Sequence, residues 1–289
     1  MHCECTHCTA RAATADATHV LVEDSAREGA ARILLIGGMI RNTIAMFALA
    51  AVGAVFTGCE VQSETITHDE PGVAGPVMKI VTNVDVGDVV VNAGTDTTAH
   101  VEAEAQWSAK RPSVKFRLDN RTLYIDAACG DPTKGGLVDP NCRVDITVKA
   151  PVGVVIEVNG GDTSITAADQ RGAATLLTSK GDIMLEGMSG TLTLGTLEGE
   201  IRGNAVHSAI VKADAVDGNV NLVFDGGADD VSVTTAAGDM LLTVPRMTYR
   251  VDARTAGKLS VGVTQSNATT VHKRLYLRSD SGDITVKPR

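Results

Sequence analysis

A glycine followed by a polar residue recurs along the C-terminal half of this 289-residue chain at nearly constant intervals. Successive pairs are separated by 20, 18, 19, 20, 19 and 25 residues. A fixed period of this size is typical of repeat architectures, in which each unit packs only against its neighbours. The pairs are Gly161-Asp162, Gly181-Asp182, Gly199-Glu200, Gly218-Asn219, Gly238-Asp239, Gly257-Lys258 and Gly282-Asp283.

Most repeats contain two short segments with the alternating pattern of a β-strand, as at 175–178 before Gly181 and 183–185 after it. Two strands per unit of about 19 residues predict an all-β fold, a β-solenoid whose coils stack around small aliphatic side chains. Aromatic residues make up only 3% of the chain, which suits a narrow interior. An ordinary β-sandwich is the competing fold.

Glycine tolerates the positive φ of a sharp corner, and Asp or Asn beside it favours a tight turn. We therefore predict structural turns at a set of corner residues. They are Gly181, Asp182, Gly199, Gly218, Gly238, Asp239, Gly282 and Asp283.

The repeat motifs resemble those of the bacterial putative-adhesin domain of unknown function, a family of β-strand repeats that is usually exported or membrane-anchored. The resemblance covers about residues 64 to 287, and it implies an adhesin-like domain at 64–289. The loop between Cys129 and Cys142 is not part of the family pattern. The motifs that carry the resemblance are Val86-Gly87-Asp88-Val89, Lys180-Gly181-Asp182-Ile183, the Val244-Pro245 step leading to Tyr249, and Ser281-Gly282-Asp283-Ile284-Thr285-Val286.

A short apolar segment precedes the repeats. Arg41 stands before an apolar run at 44–56, which is the layout of a secretory signal and is shorter than the roughly 20 residues that span a bilayer. Residues 56–59 read Phe-Thr-Gly-Cys and resemble the lipobox of bacterial lipoproteins, with Phe56 where that family usually has Leu. The resemblance implies export and lipid attachment at Cys59. Residues 39–58 are thus a signal peptide or, alternatively, an uncleaved membrane anchor, and 59–63 are a short linker.

Residues 1–38 precede Met39, which stands just before the signal-like segment. Cys3, Cys5 and Cys8 are spaced closely enough to bind a metal ion, but they lack the second cysteine pair of a structural zinc site. We interpret residues 1–38 as a non-native or disordered extension, with translation starting at Met39.

Cys129 and Cys142 are the other cysteines that follow residue 58, and the loop between them is rich in Gly, Pro and Asp. In an oxidising compartment such a pair predicts a disulfide, which is worth about 3 kcal/mol by loop-entropy arithmetic. Two free buried thiols are the alternative.

The charge balance excludes one class of partner. The first 58 residues hold four of the 26 basic and five of the 35 acidic residues, which leaves 22 against 30 and a net charge of −8. An acidic chain with few aromatic rings lacks the cationic surface and stacking platforms that bind nucleic acids. The sequence also lacks the H-E-x-x-H and G-x-S-x-G motifs, and we predict no catalytic residue, metal or cofactor.

The corner carboxylates leave one alternative open. Stacked corners would place Asp162, Asp182, Glu200, Asn219 and Asp239 in a column spaced by about 4.8 Å, which could bind Ca²⁺ or cleave polysaccharide. The simpler interpretation is turn chemistry. The sequence therefore predicts a non-catalytic, adhesin-like binding or scaffold protein on the outer face of the bacterial membrane, with a β-helical enzyme acting on polysaccharide as the alternative.

Overall fold

The computed structural model describes residues 61–70, 76–130 and 139–289, which form strands joined by turns and loops. The N-terminal part contains β1 (Gln62–Glu70), β2 (Lys79–Gly94), β3 (Ala99–Trp107), β4 (Ser113–Asp119), β5 (Thr122–Ala128), β6 (Arg143–Pro151) and β7 (Val155–Ala168). The repeats contain β8 (Ala174–Lys180), β9 (Ile183–Glu186), β10 (Leu192–Glu198), β11 (Ile201–Val206), β12 (Ile210–Asp217), β13 (Val220–Phe224), β14 (Asp230–Ala237) and β15 (Met240–Val244). The last part contains β16 (Thr248–Thr255), β17 (Leu259–Val261), β18 (Thr264–Gln265), β19 (Arg274–Ser281) and β20 (Ile284–Pro288).

Parallel, in-register pairing builds the body of the molecule. Strands β8, β10, β12 and β14 pair in succession and form the front face, while β9, β11, β13 and β15 form the back face. The long strands β7 and β2 each cross from the front to the back face, so each supplies a whole coil. Valine, isoleucine, leucine and alanine side chains from both faces fill the interior. The predicted all-β solenoid is confirmed.

The first coils end in antiparallel strands, which the repeat pattern did not predict. Strands β5 and β6 form a coil on β2, after which β4 pairs with β5, and β3 and β1 extend the back face. The rings of His68 and Phe116 stack at 4.5 Å between centroids, and Trp107 is partly buried against the core. Several of the scarce aromatic side chains therefore cover this end, where an open solenoid would expose its interior.

The C-terminal coils do not follow the order of the sequence. Strands β14 and β15 pair with β19 and β20 rather than with β16 and β17. Strands β16 and β17 pair with the opposite edges of β19 and β20. The last strand pair of the chain thus lies between two coils that precede it in sequence. The long interval of 25 residues between Gly257 and Gly282 provides the chain needed for this return.

The coil formed by β16 and β17 ends the stack and is incompletely covered. Leu275 and Ile284 are buried in the inserted coil, whereas their in-register neighbours Val251 and Leu259 are half-buried and 47% exposed respectively. The apolar core therefore becomes progressively more exposed at this end of the solenoid.

Candidate functional site

The corner glycines form one column along the solenoid. Gly181, Gly199, Gly218, Gly238 and Gly282 have φ between +129° and +156°. A Cβ atom on any of them would lie within 2.3 Å of a main-chain oxygen in the neighbouring coil. These corners exclude other residues for two reasons, the left-handed backbone and the close approach of the next coil.

The first repeat pair, Gly161-Asp162, does not form a corner, and the place predicted for Asp162 in the carboxylate column is wrong. Thr163 pairs with Gly87 and lies against Gly181, so Thr163 occupies the corner position in β7, two residues after Gly161. Asp162 pairs with Lys180 and does not join the predicted column. The physical reason is that β7 passes through this corner as a continuous strand and makes no glycine turn there.

The polar residues after the corner glycines bond to the main chain of the next coil. Oδ1 of Asp182 accepts a hydrogen bond of 2.8 Å from the Glu200 amide, and Oδ1 of Asn219 accepts one of 2.8 Å from Asp239. Asp239 repeats this contact with the amide of Asp283 at 2.7 Å. Because the neutral amide of Asn219 serves as well as a carboxylate, the position requires an acceptor rather than a charge. The corner carboxylates act as links between coils.

A second ladder, of buried hydroxyl groups, was missed by the sequence analysis. Three residues before a corner glycine, a hydroxyl donates to the corner carbonyl of the preceding coil: Thr196 to Gly181 at 3.2 Å and Thr235 to Gly218 at 3.3 Å. Ala215 interrupts the ladder. The signal that could have found it is Thr or Ser three residues before glycine, at 178, 196, 235 and 279.

Two carboxylates and a basic residue also meet at the first coils. Oδ1 of Asp145 accepts a hydrogen bond of 2.8 Å from the Asp88 amide, which continues the corner ladder. Arg143 pairs with both carboxylates, and its hydrogen bond with Asp145 raises its own pKa although burial opposes this. The two carboxylates thus share one arginine within a structural contact.

Four arginines on the outer side of the front face form a second charged cluster. In-register pairing of β16 with β19 places Arg250 beside Arg274 and Arg254 beside Arg278. The two pairs are four residues apart along the strands, which is about 13 Å. We call these four residues the arginine frame.

An exposed groove of about 370 Å³ adjoins one pair of the arginine frame, Arg250 and Arg274, and its other lining residues are Asp230, Ser232, Asp252, Leu275 and Tyr276. Tyr276, 41% exposed, lies midway between the two pairs, with Ser232 and Asp252 as its in-register neighbours. No motif named above marks this groove, although the pattern Arg-Leu-Tyr-Leu-Arg at 274–278 points Arg and Tyr outward and buries both leucines.

Ion pairs hold the carboxylates of this groove. Nη2 of Arg274 lies 2.5 Å from Oδ2 of Asp230, and Nη2 of Arg278 lies 2.8 Å from Oδ2 of Asp252. The guanidinium carbon of Arg278 is also 4.0 Å from the centroid of the Tyr276 ring. The hydrogen bond from Arg278 lowers the pKa of Asp252, whereas a general acid in glycoside cleavage needs a raised pKa. This environment disfavours Asp252 as a general acid.

The charge of the chain is divided between two regions. Residues 245–289 contain nine basic and three acidic residues, a net charge of +6. Residues 59–244 contain 13 basic and 27 acidic residues, a net charge of −14. Because β16, β19 and β20 lie together at one end of the stack, the solenoid has a basic end and an acidic body. The expectation from the net charge that the chain lacks a cationic surface is therefore wrong for this end.

Cys129 and Cys142 are joined by a disulfide, with Cα atoms 5.6 Å apart and both residues 4% exposed. The nearby buried Asp139 accepts hydrogen bonds from the amides of Ser108 and Ala109 at 2.8 and 2.6 Å. Burial opposes its ionisation, but the hydrogen bonds from Ala109, Ser108 and Asn141 outweigh it and lower the pKa of Asp139. The charged side chain of Asp139 thus fastens the connection between β3 and β4 to the segment just before Cys142.

Cys129 and Cys142 should resist alkylation by iodoacetamide in the folded protein and react fully after reduction. Reduction should loosen the loop without unfolding the solenoid, since stacking between coils supplies most of the stability. Mass spectrometry of alkylated peptides and a thermal melt in reducing agent check both points. Free thiols in natively exported material would contradict the prediction.

The predicted extension at 1–38, the signal or anchor at 39–58 and Cys59 lie outside the described residues. Within the described ranges, no helix is long and apolar enough to cross a membrane. In the same part of the chain, no three His, Cys, Asp or Glu side chains are grouped so that they could hold a metal ion.

A family model described as DUF4097, the Toastrack domain, matches residues 143–287. A putative cell adhesion protein from Clostridium sporogenes is 13% identical, with 80% of this chain and 100% of that chain covered and a TM-score of 0.36. A putative adhesin from Bacteroides fragilis is 13% identical, with 78% and 97% covered and a TM-score of 0.40. A putative lipid binding protein from Parabacteroides distasonis is 10% identical, with 78% and 95% covered and a TM-score of 0.26. No curated protein matches the chain.

Proposed function

Because this chain belongs to the Toastrack DUF4097 family, we propose that it is a non-catalytic, adhesin-like binding or scaffold protein of the bacterial cell envelope. The observation that carries the proposal is the ladder at the corners, where Asp182, Asn219 and Asp239 accept hydrogen bonds from the next coil. These repeated acceptors thus link successive coils into a continuous stack. A stack of this kind presents broad, regular faces to a ligand.

The proposal includes export and attachment to the membrane through Cys59. It is supported by the apolar segment at 44–56 and by the buried disulfide, since such bonds persist in oxidising compartments. Residues 39–58 would be the signal peptide or anchor, 59–63 the linker and 64–289 the exported domain, although β1 already begins at Gln62.

A tether before β1 would present the basic end of the solenoid away from the membrane. Strand β1 lies at one end of the stack and β16 at the other. Eight steps of about 4.8 Å separate the coil of β5 and β6 from that of β16 and β17, a distance of about 38 Å. The arginine frame would therefore lie on the coils most accessible to an extracellular ligand.

Cys59→Ala should abolish lipid attachment and leave an unprocessed or mislocalised precursor, because no other cysteine directly follows a signal-like segment. Metabolic labelling of the full-length protein with a radioactive fatty acid measures this. A variant with Cys129 and Cys142 both changed to alanine is the control and should keep the label. Continued labelling of Cys59→Ala would contradict the assignment of a lipoprotein.

The binding function is tested by passing solubilised envelope fractions over the immobilised mature protein. We expect the folded protein to retain a component that the heat-unfolded protein does not. Retention of no component would contradict the binding role. Release of reducing ends from polysaccharides in the same fractions would instead support the β-helical enzyme.

A further inference from the structure

We propose that the arginine frame binds an anionic polysaccharide, a glycan that carries negatively charged groups at intervals along its chain. This inference rests on the proposed binding function and adds the chemical class of the ligand. It follows from the charge, the spacing and the shape of the groove.

The charge of the arginine frame selects an anion. Arg250 and Arg274 line the groove together with the carboxylates of Asp230 and Asp252. Arg254 and Arg278 lie beyond the groove on the same two strands, so the four guanidinium groups of the frame outnumber these two carboxylates and a net positive charge remains. The frame also lies in a region of net charge +6 on a chain whose preceding body carries −14. An anionic ligand is therefore attracted to this end and repelled by the rest of the solenoid.

Each arginine contributes differently to the site. The side chains of Arg254 and Arg274 are 77% and 58% exposed. Arg250 donates a hydrogen bond of 3.1 Å to the Ala268 carbonyl. A guanidinium carries five donors, so these three can bind a carboxylate or sulfate and keep their present partners. Arg278, only 23% exposed, acts as a positioning residue beside Tyr276.

The spacing selects a polymer. The pair of Arg250 and Arg274 lies about 13 Å from the pair of Arg254 and Arg278 along the strands. A small anion such as phosphate can contact only one pair at a time. A chain with charged groups at intervals can contact both pairs if it runs along the strands from the groove and past Tyr276.

The surface between the pairs suits a sugar ring. Tyr276 lies in the middle and offers an exposed aromatic side chain with a polar hydroxyl, while Ser232 and Asp252 on either side supply further hydrogen-bonding groups. A single-stranded nucleic acid requires several stacking rings in succession, and Tyr276 is the one aromatic residue lining this groove. A planar membrane surface does not enter a concave groove of this size.

The probes are dextran sulfate, carboxymethyl dextran and unmodified dextran of equal length, titrated into the full-length mature protein by calorimetry. We expect both charged dextrans to bind and the neutral one not to bind. Affinity should fall as the salt concentration rises from 50 to about 500 mM, because exposed charges are then screened.

The matched variants separate the frame from general charge effects. Changing Arg250 and Arg274 together to glutamine should weaken binding of the charged dextrans by at least about tenfold, given the strength of charge-assisted hydrogen bonds. Arg254→Gln should weaken it severalfold and leave the fold intact, because this side chain is 77% exposed. Arg202→Gln, on the body and paired with Glu200, should leave the affinity unchanged.

Three results would overturn the inference. The first is equal affinity of the Arg250/Arg274 variant, with its fold verified by a thermal melt, and the second is an equal loss in Arg202→Gln. The third is tighter binding of phosphatidylglycerol vesicles or of an oligonucleotide than of the charged dextrans. If the protein retains an envelope component but binds no charged dextran, the frame inference fails and the proposed function stands. If the protein retains no envelope component and binds no charged dextran, the frame inference and the proposed function both fail.

Discussion

Gly238→Val should either prevent folding or lower the free energy of unfolding by more than about 4 kcal/mol. The φ angle of Gly238 is +144°, and the added Cβ would lie 2.1 Å from the carbonyl oxygen of Gly218. That oxygen belongs to the main chain of an in-register coil, so it cannot move aside as a flexible side chain would. The hydroxyl of Thr235 donates to the same carbonyl and holds it in place. Both adjacent coils should therefore be disturbed.

The matched control for this prediction is Asp239→Asn. An asparagine at 239 can still accept the hydrogen bond from the Asp283 amide, as Asn219 does from Asp239. We therefore expect almost no change in melting temperature. Thermal melts followed by circular dichroism compare the two variants. Equal tolerance of both changes would show that the corner does not constrain the coil. Stabilisation by Ca²⁺ that disappears in Asp239→Asn would make the corner a metal site.

Leu277→Ala should lower the free energy of unfolding by about 2 to 5 kcal/mol, the usual cost of emptying a fully buried leucine site. Leu277 is fully buried in β19, in the coil inserted between those of β14 and β16. Its loss removes packing from two neighbouring coils at once. Urea denaturation of the purified protein measures the effect.

The control for the coil order is Leu259→Ala. Leu259 is 47% exposed on the terminal coil, so its truncation should cost less than about 1 kcal/mol. If the coils followed the order of the sequence, Leu259 would lie in the inner coil and Leu277 in the terminal one. A larger loss for Leu259→Ala than for Leu277→Ala would therefore contradict the observed order.

The arginine frame could not be predicted from local sequence patterns. Arg250 and Arg274 are 24 residues apart in sequence, and only the pairing of β16 with β19 brings them together. Each strand separately reads as an ordinary exposed face, with polar residues outward and leucine or valine inward. A cluster made by contact between distant strands leaves no short motif in the sequence.

The sequence by itself determined the all-β class, the two strands per coil and the corners at Gly181, Gly199, Gly218 and Gly238. These features depend on nearest-neighbour physics, since alternation selects a strand and left-handed backbone selects glycine. Only the tertiary structure decided that Thr163 replaces a glycine at the corner in β7, and that the last strand pair inserts before β16 and β17. Parallel strands of similar composition can stack in more than one order. The choice depends on which edges the whole stack leaves unpaired and how well its core is covered.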